Sequence, residues 1–144
     1  MTRVRVSRVI DAPTREVWEL VSDIGDHARW QVDVRSIDFT SPRHRGVGAT
    51  YIVDTRLGPI RMKIPMTITE WSEGKAVAVS YQGSLSGRGR ITVKRKRGHR
   101  SKVTWAARVR LPWWLGGPIG AIGSAQLLRV VWRTNFKRLA RLLA

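Results

Sequence analysis

The acid–base and metal-binding chemistry open to this chain depends on its three histidines and its carboxylates, because it contains no cysteine. His27 follows Asp23 and Asp26 in the stretch DIGDH, and carboxylates beside an imidazole can bind a metal ion or transfer protons. No second group of histidines completes a metal site, and helix ends commonly carry such acids. His44 and His99 lie in basic, turn-like stretches. We therefore expect no metal and no cofactor, and no nucleophile elbow, P-loop or metalloprotease motif is present.

The net charge of +17, from 27 Lys and Arg against 10 Asp and Glu, concerns partners and solubility rather than fold. The run KRKRGHRSK (94–102) could bind phosphates. It also falls where the tip of a hairpin is expected, and a solvated turn needs no partner. Apart from His99 it lacks the aromatic side chains on which single-stranded nucleic acids stack. Nucleic-acid binding is therefore not favoured, and the charge serves either an anionic partner or only solubility.

The longest uncharged run is LPWWLGGPIGAIGSAQLL (111–128). A membrane span needs about twenty apolar residues, whereas this run contains two prolines and four glycines. Three interpretations stay open: a flap over the mouth of a cavity, a loop docked on the core, or a tip at Trp113 and Trp114 that touches lipid headgroups. The last would give peripheral contact with an anionic membrane.

The N-terminal part of the chain reads as a strand followed by a helix. Residues 3–10, RVRVSRVI, alternate basic and apolar side chains, as a half-buried strand does. Pro13 suits a first helical turn, and an apolar stripe at helical spacing follows up to Gly25 and Asp26. The stretch DHARW then predicts a short turn that buries Trp30.

The middle of the chain changes to the period of strands, and its end returns to that of a helix. Strand-like segments cover residues 35–39, 47–56, 60–71, 75–83, 87–95 and 102–111. Within 60–71, Pro65 removes one ladder donor and predicts a bulge or an edge. A long helix is predicted from about Ala121, with basic side chains at every fourth position from Arg129 to Arg141 opposite its apolar face.

This order of elements predicts an α+β domain. The connections between strands are short, so the sheet of about seven strands is antiparallel, with helices on one face. The length and the absence of linkers or repeats predict one domain over residues 1–144. The start, MTRVRVSRV, lacks the apolar segment of a signal peptide, and a chain without cysteine tolerates a reducing compartment, so we expect a cytoplasmic location.

Several motifs in this order resemble the START-like (SRPBCC) superfamily, in particular its polyketide cyclase/dehydrase and lipid-transport branch. They are IDAPTREVWELVSD followed by Trp30, then GVGATYIV, ITEW and SKVTW. The resemblance implies a helix-grip fold, in which a curved antiparallel sheet wraps around the long C-terminal helix and two short helices after the first strand close one end. It also implies a cavity for an apolar small molecule between sheet and helix.

Alternation along the strands and the apolar face of the helix select the side chains that would line this cavity. They are Tyr51, Val53, Met62, Ile64, Met66, Val79, Tyr81, Trp105, Leu128, Val131 and Trp132. The leading hypothesis is the binding of a lipid, a polyketide or an aromatic metabolite by this lining.

Two further functions stay open. The first is a cyclase/dehydrase-type enzyme, which the resemblance implies could use Tyr51, Tyr81, Asp54 or Arg8 in the same cavity, with no catalytic residue identified. The second is a basic binding module for a membrane surface or for nucleic acid. The sequence predicts no oligomeric state.

Overall fold

The computed structural model of the chain describes residues 2–83, 85–110 and 117–144, without side chains at 117–122 and 124. In chain order its elements are β1 (Thr2–Ile10), α1 (Thr14–Ser22), a 3-10 helix (Ile24–Arg29), β2 (Val34–Phe39), β3 (Thr50–Leu57), β4 (Ile60–Ser72), β5 (Ala76–Tyr81), β6 (Ser86–Lys96), β7 (Arg100–Arg110) and α2 (Gly117–Leu142).

The seven described strands form a curved antiparallel sheet in the order β1-β7-β6-β5-β4-β3-β2. Strands β2 to β7 follow one another as neighbours, and β1 returns to pair with β7 over its whole length. Helix α2 packs on one face, mainly near β1. The predicted α+β helix-grip architecture is therefore confirmed, and the face of the sheet that carries α2 also carries most of the core.

The turn after β1 places α1 and the 3-10 helix at one end of the sheet. Pro13 is the N-cap of α1, in extended backbone, and among the described side chains none caps the helix. The helix ends at Ser22 rather than at Gly25 and Asp26, because Asp23 leaves helical geometry at φ −84° and ψ 77°. The chain then re-enters a tighter helix that brings Trp30, 1% exposed, into the core as predicted.

The bulge or edge predicted at Pro65 is not found there, and the irregularity in β4 lies further along the strand. Pro65 pairs with Ile52 in register, whereas the shift in register with β5 lies between Ile68 and Glu70. The carbonyl oxygen of Pro65 accepts a hydrogen bond from the backbone N–H of Gln82 at 3.0 Å, just beyond the end of β5. N–H and C=O of one residue point to the same side of an antiparallel strand. The missing donor therefore falls where the ladder with β5 stops.

Helix α2 is anchored by its C-terminal half. Phe136 and Leu139 are fully buried, whereas Arg133 and Lys137 are exposed on the opposite side, as the basic stripe predicted. The helix begins at Gly117, earlier than the predicted Ala121, because a proline in the first turn costs no hydrogen bond. In the described ranges no helix is both long and apolar enough to cross a membrane.

Candidate functional site

A cavity of about 170 Å³ lies between the sheet and α2. Most of its wall is apolar and comes from β2 to β7, α1 and α2, and the wall reaches the protein surface at Leu127, which is 44% exposed. Ten of the eleven residues selected from the sequence line it: Tyr51, Val53, Met62, Ile64, Met66, Val79, Tyr81, Trp105, Leu128 and Trp132.

Strand register explains why alternation selected these side chains. Tyr51 on β3 pairs with Met66 on β4, which pairs with Tyr81 on β5, so the three share a row on one face of the sheet. The eleventh residue, Val131, is buried but is not part of the wall. It precedes Trp132 by one position, which turns its side chain about 100° around a 3.6-residue helix, away from the cavity and into the core.

The remaining residues named from the sequence lie elsewhere. Asp54 is on the opposite face of β3, beside Arg61 and Lys63 in a shallow surface groove. Arg8 is exposed on β1 and does not line the cavity. The predicted flap or membrane tip at Trp113 and Trp114 lies outside the described residues.

Polar side chains that the sequence did not single out as lining also face the cavity, among them His27, Gln31, Asp33 and Thr55. His27 is buried, and its Nε2 donates a hydrogen bond to the carbonyl oxygen of Val21 at 2.7 Å. That donor fixes the tautomer, so Nδ1 accepts from the amide of Gln31 at 3.1 Å. Burial lowers the pKa of His27 to about 4.

The state of His27 argues against the metal site that its sequence neighbours suggested. Both ring nitrogens already have hydrogen-bond partners within the protein, so neither is free to bind a metal. Asp26 instead forms an exposed ion pair with Arg29 at 3.0 Å. Among the described residues, no group of three or more His, Asp and Glu side chains could hold a metal ion.

Asp33 is the one carboxylate in the described wall of the cavity, and helix α2 holds it in place. Asn135, fully buried, accepts a hydrogen bond from the backbone N–H of Val32 through Oδ1 at 2.8 Å. Its Nδ2 therefore faces Asp33 and donates to Oδ1 of that carboxylate at 3.3 Å. Burial is the main reason that the pKa of Asp33 lies above its usual value, and the bond from Asn135 opposes this.

Two tyrosines complete the polar part of the wall. Burial raises the pKa of both hydroxyls, to about 12 for Tyr81, so both are neutral donors near pH 7. The Tyr81 hydroxyl lies over Gly89 of β6, where a Cβ would overlap it. The negative charge of Asp33 adds to the rise in the pKa of Tyr81. A glycine in the strand thus makes room for a polar group at the cavity.

The large aromatic side chains of the wall contact one another. The rings of Trp105 and Trp132 stack with centroids 4.3 Å apart and planes 10° apart. Trp132 also meets Trp30 and Phe136 edge-on, at 6.0 and 5.5 Å. One side of the cavity is therefore an aromatic surface, while Met62 and Met66 offer flexible side chains from the sheet.

The basic residues lie outside this cavity. Arg5, Arg90, Lys94 and Lys102 surround a groove on the other face of the sheet, formed by β1, β6 and β7. Arg90 pairs there with Glu70 at 2.7 Å. The cavity wall in the described part of the chain contains neither Lys nor Arg.

Comparison with known proteins agrees with this geometry. The family described as polyketide cyclase / dehydrase and lipid transport matches residues 1–144. The fold is similar to that of a protein from Thermus thermophilus, TTHA0849 (TM-score 0.83, 16% identity, 96% of this chain and 94% of that one). It is also similar to a protein from Thermobifida fusca (0.78, 18%, 97% and 91%) and to a START superfamily protein from Mycobacterium smegmatis (0.77, 13%, 99% and 97%).

The search of curated proteins gave no match. At these identities the solved structures establish the shared fold alone, whereas the family match extends over the whole length of the sequence. Together they confirm the START-like resemblance seen in the sequence motifs. The chain belongs to the polyketide cyclase/dehydrase and lipid transport family.

Proposed function

We propose that this protein binds a hydrophobic small molecule in the cavity between its sheet and helix α2. The observation that carries the proposal is the cavity itself, about 170 Å³ in volume, walled by apolar side chains with a few polar groups on one part of its surface. Ligand sites have this composition, in which apolar contact supplies affinity and the polar groups set orientation.

The energetic cost of an empty cavity supports a bound molecule. Mutational series give about 24 cal/mol per Å³ of cavity, so a dry void of this size would cost about 4 kcal/mol. Domains are stable by only about 5 to 15 kcal/mol. A ligand that fills the space would recover much of that cost, because it restores the contacts that the lining side chains lack.

The test is a variant that fills the cavity, matched to one that adds the same ring elsewhere. Val79→Phe puts a ring into the wall, and Ala78→Phe puts it on the opposite face of the same strand. Calorimetry with 4-propylanisole, an uncharged single-ring probe, should show saturable binding to the wild type and to Ala78→Phe. Binding to Val79→Phe should be at least tenfold weaker. Equal binding to the two variants would place the probe outside the cavity.

A second candidate is an enzyme of the cyclase/dehydrase type acting in the same cavity. It is favoured by the presence of Tyr81 and Asp33 in the wall of one cavity, since a neutral hydroxyl and a carboxylate can together move a proton on a bound carbonyl compound. His27 does not take this role, because both of its ring nitrogens are engaged.

Turnover of a poly-β-keto substrate should fall at least a hundredfold in Tyr81→Phe. Turnover unaffected in Tyr81→Phe, Tyr51→Phe and Asp33→Asn would exclude side-chain catalysis.

A further inference from the structure

The charged residues of this protein divide sharply between outside and inside. The chain has 27 Lys and Arg, yet among the described side chains none of these lines the cavity, and Asp33 is the only carboxylate that does. In the described part of the chain no Lys or Arg forms an ion pair with Asp33, since the three ion pairs involve Asp26, Glu70 and Glu73. Within the described part of this strongly basic chain, one carboxylate therefore lies in an apolar site without a cationic partner.

An anionic ligand is poorly matched to such a wall. A carboxylate head group that moved from water into the cavity would find no cation in the described wall to pair with. An unpaired buried charge is costly. It would also meet Asp33. An ammonium group could pair with Asp33, but it would have to approach through the field of a protein with a net charge of +17. An uncharged ligand avoids both penalties.

The orientation of Asp33 determines which uncharged group it can recognise. Asn135 donates to Oδ1 of Asp33, and its own amide oxygen accepts from the backbone N–H of Val32, so these two bonds hold the carboxylate beside α2. The remaining acceptor capacity of Asp33 suits a ligand that donates a hydrogen bond. A hydroxyl group does so, whereas an ether or an apolar ring does not.

We propose that the cavity recognises an uncharged, ring-sized apolar alcohol or phenol through a hydrogen bond from its hydroxyl group to Asp33, and discriminates against carboxylates such as fatty acids. This inference rests on the proposed binding function and narrows its ligand class. The size follows from the volume, because an apolar cavity of about 150 Å³ accepts benzene. The stacked Trp105 and Trp132 supply an aromatic surface for the ring.

Three probes that differ only in their polar group test the inference: 4-propylphenol, 4-propylanisole and 4-propylbenzoate. At pH 8, calorimetry on the wild type should show the phenol binding about tenfold more tightly than the ether, as expected for one hydrogen bond to a charged acceptor. The benzoate should bind most weakly of the three. A benzoate that binds as tightly as the phenol, or a phenol no tighter than the ether, would overturn the inference.

The variant Asp33→Asn keeps the shape of the side chain and tests its role. The oxygen of the new amide faces Asn135, so its NH₂ group faces the ligand and donates equally to a phenol or an ether. The tenfold preference should fall to less than twofold, and the benzoate should gain affinity relative to the phenol. Asp54→Asn, which removes a carboxylate from the other face of the sheet, should keep the wild-type preference.

Failure of the proposed function has a different signature. If none of the three probes binds the wild type, the binding proposal is contradicted, and the ligand class with it. If the ether binds but Asp33→Asn leaves the tenfold preference intact, the cavity binds ligands and only the role of Asp33 is wrong.

Discussion

The side-chain amide of Asn135 on α2 lies between the backbone of Val32 and the carboxylate of Asp33, and bonds to both at 2.8 and 3.3 Å. These bonds join the last helix of the chain to the segment before β2, more than one hundred residues earlier. Arg138 adds a contact one turn further along α2, donating to the carbonyl oxygen of Arg29 at 3.3 Å. The helix is thus tied to the wall of the cavity by hydrogen bonds as well as by apolar packing.

The hydrogen bonds of Asn135 to Val32 and Asp33 form a clamp between α2 and the cavity wall, and removing this clamp should destabilise the protein. In Asn135→Leu, both hydrogen bonds disappear and Asp33 loses its donor, so we expect the free energy of unfolding to fall by about 1 to 3 kcal/mol. Urea denaturation measures the change. The neighbouring Thr134 is exposed, and its hydroxyl donates to the carbonyl oxygen of Val130 on the same helix, so Thr134→Ala should change stability by less than about 0.5 kcal/mol. A loss of equal size in both variants would show that the clamp contributes nothing of its own.

Stability should fall in mild acid because of His27. Its pKa is about 4 in the folded protein, against 6.5 for an unperturbed histidine. The unfolded chain therefore binds the proton more strongly, and the stability contributed by neutral His27 is complete above pH 6.5 and is lost as the pH falls towards 4. The loss should reach about 3 kcal/mol. Denaturation of His27→Gln between pH 7 and 4 should lack this slope, whereas His99→Gln, altered in the exposed turn of the β6–β7 hairpin, should keep it.

Asp33 should show the opposite dependence on pH. Burial raises its pKa in the folded protein above the usual 3.8, so the folded state binds the proton more strongly than the unfolded chain. Its contribution to stability is therefore complete below pH 3.8 and declines as the pH rises through the folded-state pKa. Asp33→Asn does not titrate, and its stability relative to the wild type should increase as the pH rises from 3.8 to 7. A difference that stays constant over this range would contradict the raised pKa.

Gly89 should be intolerant of a side chain because of Tyr81. A Cβ at position 89 would overlap the Tyr81 hydroxyl and lie 2.8 Å from Cζ of its ring. Gly89→Ala should therefore cost about 1 to 3 kcal/mol and push the ring into the cavity, which weakens binding of 4-propylanisole. The cost should be smaller when Tyr81 is already leucine, because the overlapping atoms are gone. Equal costs in the two backgrounds, measured by a double-mutant cycle, would show that the residues are not coupled.

Periodicity predicted the α+β order of elements and selected the inward-facing side chains, whereas the helix-grip arrangement and its cavity were implied by the resemblance to the START-like superfamily. The row of Tyr51, Met66 and Tyr81 follows from alternation along three strands, once their pairing is known. The error at Val131 concerns its direction around the helix. The apolar stripe of a helix covers a wide arc of its surface, so the sequence does not tell which of its residues face the sheet and which face the cavity.

The polar wall could not be predicted in the same way. Asp33 and His27 belong to short connecting segments without a period, and they meet the cavity only through the path of the 3-10 helix before β2. One signal was present in the sequence: Asn135 is a polar residue between Trp132 and Phe136 on the predicted apolar face of α2. A buried polar residue needs a partner, and that partner proves to be the carboxylate of the site.

The most direct test of the central claim is methyl NMR of the wild type titrated with 4-propylphenol. If the cavity binds this phenol, we expect saturable shifts of the methyl signals of Ile64, Met66 and Val79, which line it. The methyl signal of Thr92, in the basic groove on the other face of the sheet, should stay unchanged. Shifts at Thr92 without shifts at the cavity methyls, or no shifts at any of them, would contradict the claim that this fold encloses a ligand.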